Sequence, residues 1–161
     1  MNETENAEIV IVDDSPSDAL LTKRALQKSG IATSPLWLRD GVEALDYLFC
    51  KGTYAHRPRG ALPRLVILDL KLPRIDGIKV VETIKADARL REIPIVMMSS
   101  SAEERDLRAA YRFGVNSYVV KPLDFAEFSK HVAQIGVYWM SVNRAPPESH
   151  GDGQPWRRRD V

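Results

Sequence analysis

The sequence predicts an α/β protein: one sheet of five parallel strands with helices on both faces. Three observations carry that expectation. Short apolar runs alternate with longer stretches of helical periodicity, five times in succession. The links between them are short, apart from one Gly/Pro-rich stretch. Strands joined through helices in this way run parallel and are covered on both sides.

The elements follow in order. "EIVIVD" (8–13) reads as a central strand. Ser15, Pro16 and Asp18 then form a helix start: an N-cap, a proline in the first turn, and an acidic residue three beyond the cap. That helix runs to about Ser29, where Gly30 stops it. "PLWLRD" (35–40) is a second strand, and 41–51 a helix with Val42, Leu45, Leu48 and Phe49 on one face. "KGTYAHRPRGALP" (51–63) is a loop. "RLVILDL" (64–70) is the third strand, 71–77 a loop and 78–87 a helix. "IPIVMMS" (93–99) is the fourth strand, and Ser101 with Glu104 reads as a capping box for a helix that turns Leu107, Ala110 and Tyr111 inward. "NSYVVK" (116–121) is the fifth strand, and Asp124 caps a last helix reaching about Met140. On it Phe125, Phe128, Val132, Ile135 and Trp139 form a core stripe, while Ala126, Ala133, Val137 and Met140, with Tyr138 beside them, form a second apolar set suited to a partner. Residues 1–7 read as a flexible N-terminus, 8–140 as one domain, and 141–161 as a poorly ordered polar tail.

Composition narrows the function. The 161 residues are 44% hydrophobic with a formal net charge of +1, so the chain is not built as a polyanion binder. Cys50 is the only cysteine, which excludes a disulfide framework and a thiolate metal cluster; it is expected as a buried or half-buried thiol on a helix. His56, His131 and His150 are scattered, and no metal or phosphotransfer role is expected of them. The polar, acidic N-terminus is no signal peptide, and no apolar run approaches the ~20 residues of a membrane span, so a cytoplasmic protein without membrane contact is expected. Trp156 and Arg157–Arg159 read as a solvated tail rather than a nucleic-acid contact.

In a parallel sheet of this kind the functional crevice lies at the carboxyl ends of the strands. Those ends carry Asp13 and Asp14, Asp69, Ser99, and Lys121 followed by Pro122. Three carboxylates brought together repel one another, and a hard divalent cation with oxygen ligands relieves them. Mg²⁺ retains water and accepts phosphoryl oxygens. With a lysine and a hydroxyl beside it, the set fits phosphoryl transfer with one carboxylate as nucleophile.

Over roughly residues 6–140 the sequence resembles the receiver domain of two-component response regulators. "VDD" after strand one, "LDLKLPRIDG" around Asp69, Ser99 and "YVVKP" carry the resemblance, each at a strand end and in order. It implies the flavodoxin-like, doubly wound receiver fold. It further implies that Asp69 accepts a phosphoryl group from a histidine kinase, and that Asp13, Asp14, Asp69 and the Lys71 backbone carbonyl hold Mg²⁺, with Mn²⁺ as a substitute. Ser99 and Lys121 would contact the phosphoryl group, Tyr118 would be the aromatic switch that follows Ser99, and the Lys121–Pro122 bond would be cis. The protein would turn over no separate substrate. Homodimerisation through the fourth helix, fifth strand and fifth helix is expected, as in the family.

The insertion at 51–63, "LPRIDG" and the aromatic end of the last helix resemble the single-domain regulators that partner bacterial and cyanobacterial phytochromes, which implies a phytochrome-type kinase as donor. The competing readings fit less well. A haloacid-dehalogenase-type phosphatase needs a second Asp where Lys71 stands, and a flavodoxin-like carrier needs a phosphate loop where Asp13 and Asp14 stand. A pseudo-receiver scaffold that is never phosphorylated is separated from the main reading by labelling Asp69.

Overall fold

Ile9–Val12 and Leu65–Leu68 have no polar side chain to satisfy, so these two strands are buried on both faces. A computed structural model describes residues 4–147. Its order is β1 (Ile9–Val12), α1 (Pro16–Lys28), β2 (Leu36–Leu38), α2 (Gly41–Phe49), β3 (Leu65–Leu68), α3 (Gly77–Ala86), β4 (Ile95–Ser99), α4 (Glu104–Phe113), β5 (Ser117–Val120) and α5 (Phe125–Val137). The sheet order is β2-β1-β3-β4-β5 and every pairing is parallel. The chain therefore reverses its direction of travel between β1 and β3, and a crevice opens there beyond the strand ends.

Alternation along the strands splits the core in two. Ile9, Ile11, Leu65, Ile67, Val96 and Met98 pack under α1 and α5 with Leu26, Phe128 and Val132. Val10, Val12, Val66, Leu68, Ile95 and Met97 pack under α2, α3 and α4 with Tyr47, Val81, Ile84 and Ala110. The same parity continues past the strand ends and decides where the polar residues point. Asp13 and Asp69 follow the α1/α5 side, and Ser99 the other.

The helix starts are as expected at α1 and α5. The Ser15 hydroxyl accepts from the Asp18 N–H, and Gly30, at φ +84°, turns the chain after α1. Asp124 accepts from the Ala126 N–H.

Other expectations are corrected. On α2 the buried face is Gly41, Ala44, Tyr47 and Leu48; Leu45 and Phe49 pack against its margin and Val42 is only half-buried. Cys50 is half-buried but sits just past the helix in a left-handed conformation, φ 54°. α4 has no capping box: it starts at Glu104 with no side-chain cap, and buries only Ala110, so Tyr111 stays 52% exposed. Phe125 is the first residue of α5 and is exposed; the packed stripe begins one turn later at Phe128 and runs through Val132 to Ile135 and Trp139. Of the second set on α5, Val137 and Tyr138 are exposed, whereas Met140 packs on the core. α5 passes into a π-helical turn, Tyr138–Val142.

The insertion holds a 3₁₀ turn, Gly52–Tyr54, and a buried cation, Arg57. The guanidinium donates to the Glu5, Tyr47 and Ala61 carbonyls and lies 3.5 Å from the Tyr47 ring centre. Ala7 is buried as well, and its N–H donates to the Tyr47 hydroxyl. Among the described residues no helix is long and apolar enough to cross a membrane. His150, the basic run Trp156–Arg159 and most of the expected tail lie outside the described residues.

Candidate functional site

Val12 and Leu68 are paired neighbours on β1 and β3, so Asp13 and Asp69 emerge side by side. The Asp69 N–H is held by the Val12 carbonyl at 2.9 Å, and the Asp13 N–H by the Leu38 carbonyl at 3.1 Å. Both backbones are thus fixed by the sheet. Asp14 follows on the exposed rim. One carboxylate oxygen from each of Asp13, Asp14 and Asp69 lies within 4.8 Å of the others. That oxygen set fits a hard divalent cation with room for water and further oxygen ligands. Lys71 lies on the loop after β3 with its side chain exposed, and its backbone N–H favours the charged form of Asp69.

Lys121 enters from β5. Its N–H donates to the Ser99 carbonyl at 2.7 Å, and its Nζ reaches Asp13 at 2.9 Å, Asp18 at 2.9 Å and Asp69 at 3.3 Å. The Lys121–Pro122 bond is trans, which corrects the cis expectation; the ordinary trans preference of Xaa–Pro, about 0.5–1 kcal/mol, holds here.

Burial pushes the carboxyls of Asp13 and Asp69 above their usual range, although Lys121 and backbone N–H groups oppose the shift. Burial alone would lower the Lys121 ammonium, but Asp18, Asp69 and Asp13 outweigh it and raise it. One ammonium among four carboxylates leaves a net negative site. A cation added there meets groups already short of positive charge.

On the other side of the sheet, Ser99 is 1% exposed and its Oγ accepts from the Ser101 N–H at 3.1 Å. The oxygen is engaged, but the hydroxyl proton remains to be donated. Tyr118 pairs with Met97 and shares its face. It points inward, donating its hydroxyl to the Ser101 carbonyl at 2.8 Å. Burial raises the Tyr118 phenol, against the effect of Ser99 and Ser101.

Three participants are not evident from the sequence pattern. Asp18 reads as a helix-start charge, yet it faces Lys121. Ser101 reads as a cap, but its hydroxyl contacts Asp106 at 2.5 Å while its backbone joins Ser99 to Tyr118. Trp37 donates its indole N–H to the Asp13 carbonyl at 2.8 Å. The only sign of the first in the sequence is its position, one helical turn beyond Asp14.

Residues 9–133 match the family model described as the response regulator receiver domain. The chain belongs to the response regulator receiver family. Among its relatives is the probable methanogenesis regulatory protein FilR2 of Methanothrix harundinacea, 44% identical over 139 residues and covering 86% of each chain. The Mn²⁺-bound form of the response regulator Rcp1, a protein known from Synechocystis, superposes with a TM-score of 0.79 at 36% identity, covering 86% of this chain and 97% of that one. The phosphorylated cyanobacterial phytochrome response regulator RcpA gives a TM-score of 0.80 at 36% identity, covering 86% and 96%. The chain is therefore a response regulator of two-component signalling, similar to regulators associated with phytochromes. The acidic cluster of this receiver is placed to bind a divalent metal, and its class implies a histidine kinase as partner.

Proposed function

We propose that this receiver accepts a phosphoryl group on Asp69 from the phosphohistidine of a phytochrome-type histidine kinase, with Mg²⁺ as the resident cation. The convergence of Asp13, Asp14 and Asp69 around the Lys121 ammonium carries this reading. Asp13, Asp14, Asp69 and the Lys71 carbonyl would hold Mg²⁺, for which Mn²⁺ would substitute. The cation supplies charge neutralisation for the carboxylates and the transferring phosphoryl oxygens. Asp69 attacks phosphorus as the histidine nitrogen leaves. Lys121 pairs with the new phosphoryl group, and the Ser99 hydroxyl donates to it. Because Ser101 bonds both Ser99 and Tyr118, movement of Ser99 reaches Tyr118 and the surface of α4 and β5. Asp69 is a stoichiometric acceptor, and no separate substrate is turned over.

Exposed Tyr111, Val120, Leu123 and Phe125 along α4, β5 and α5 support homodimerisation through that face. The likeness to phytochrome response regulators supports the assignment of the kinase and a cytoplasmic location.

The test uses acetyl phosphate and Mg²⁺. Wild-type protein labels, Asp69→Asn does not, and omission of the cation stops labelling. Labelling of the Asp69→Asn protein at the wild-type level would refute the acceptor. A wild-type protein that never labels would favour a phosphorylation-independent scaffold.

A further inference from the structure

At the opposite end of the sheet, the insertion builds a second feature. The buried Arg57 anchors residues 51–61 against α2. This sets Arg59 at the lip of a cleft of about 680 Å³, whose other walls come from the residues just before β3 and β4 and from residues 145–147. Four arginines line it, Arg59, Arg64, Arg89 and Arg91, against a single lining carboxylate, Glu92. Among the described residues none of the four arginines forms an ion pair with a carboxylate, so Glu92 offsets only part of their charge and without direct contact.

Two of these cations are already positioned. Arg89 donates to the Arg59 and Leu48 carbonyls, each at 2.6 Å, and Arg64 donates to the Met140 carbonyl at 3.0 Å. Such bonds fix a guanidinium without neutralising it, which reduces the ordering cost of binding an anion. Arg59 and Arg91 are exposed and free to close on a ligand. Between the charges the lining is mostly apolar and includes four prolines, Pro63, Pro94, Pro146 and Pro147. The prolines have no N–H to offer, which leaves fewer backbone donors for a partner segment and puts more of the recognition on side chains.

We propose that this cleft is a docking site for an acidic, extended peptide segment of a partner protein, separate from the phosphorylation site. Charge complementarity selects carboxylates, which arginine grips in a forked geometry, and the proline walls accept apolar side chains between them. A nucleic acid is a poorer occupant, because a net charge of +1 provides no long-range field for a polyanion. The chain's own residues 148–161 set Arg157, Arg158 and Arg159 against Glu148, Asp152 and Asp160, so as a whole they carry no net negative charge to match the cleft.

The test is fluorescence anisotropy of a labelled ten-residue peptide of Glu, Leu and Pro against the full chain at physiological salt. Binding is expected, with no binding of the peptide in which Lys replaces Glu. Arg59→Ser/Arg91→Ser, which alters two exposed side chains, is expected to lower affinity at least tenfold with unchanged thermal melting. Asp69→Asn is expected to bind like wild type, so failure of the phosphorylation reading leaves this result intact. Absence of binding, or equal binding by the double variant, overturns the proposal. Tighter binding of a labelled single-stranded DNA 20-mer reassigns the cleft to nucleic acid and overturns it too. A tenfold gain on neutralising Glu148 and Asp152 in the full chain gives the cleft to the chain's own tail, with the same consequence.

Discussion

Lys121 has three N–H donors, and each meets a different carboxylate. Its side chain is 11% exposed, and it is the internal counter-ion of two nearly buried carboxylates, Asp13 and Asp69. Removing one partner of such a cluster leaves the others uncompensated in a poorly solvated place. Lys121→Ala is expected to lose about 3 kcal/mol in urea unfolding in the presence of a chelator. Millimolar divalent cation should narrow that loss, because it substitutes for the missing charge. An unchanged unfolding midpoint in chelator would show that the ammonium contributes nothing to the resting protein. Asp18 explains why a sequence reading undercounts the site. It stands three residues past an N-cap, where an acidic side chain has a sufficient local reason to be. Only the packing of α1 over the end of β1 turns it toward Lys121.

At the scale of elements, the acceptor loop depends on how closely α3 approaches it. A Cβ at Gly77 would stand 2.3 Å from the Asp69 carbonyl oxygen and 2.8 Å from the Leu70 Cα, both backbone atoms that cannot rotate away. Gly77→Ala must therefore shift either the helix start or the residue that bears the acceptor. We expect a loss of about 1–3 kcal/mol by thermal or urea unfolding, accompanied by slower labelling from acetyl phosphate. Wild-type stability would mean the loop yields freely. The helices also show where periodicity misleads. The α5 stripe is correct from Phe128 onward, but a spacing rule cannot tell that the first turn carrying Phe125 lies off the core. In α4 a Ser and a Glu three apart imitate a capping box. The helix begins at that Glu, and Ser101 instead serves Ser99, Asp106 and Tyr118.

For the whole molecule, acid stability tracks a carboxylate outside the phosphorylation site. Asp40 caps α2, accepting from the Glu43 N–H at 2.8 Å, and pairs with Arg74 at 2.7 Å. Burial would raise its carboxyl, but the Glu43 N–H and the Arg74 guanidinium together hold it below its ordinary 3.8. A carboxyl lowered on folding adds stability that is complete above the unfolded value and is lost as pH falls through the folded one. Asp40→Ala should therefore cost about 1 kcal/mol at pH 7. The gap to wild type should begin to narrow only below about pH 4, where Asp40 of the unfolded chain protonates while the folded carboxyl still resists. A gap constant down to pH 3 would assign the whole effect to shape rather than charge.

The global fold was legible because β1, β3 and β4 are continuous apolar runs, and buried parallel strands leave that signature. Asp13, Asp14, Asp69, Ser99 and Lys121 were legible because each ends or follows a strand and strand ends share one edge. The cleft of arginines was not, since it joins residues 59, 64, 89 and 91 through contacts that no local pattern encodes.

The indole of Trp37 is hydrogen-bonded to the peptide carbonyl of Asp13, the residue whose carboxylate meets Lys121. Indole emission responds to the local field and to the bond at its nitrogen. Trp37, one of three tryptophans, is thus a native fluorophore bonded to the backbone of the charge cluster, and with Trp139 and Trp156 replaced by Phe its emission should follow cation binding there.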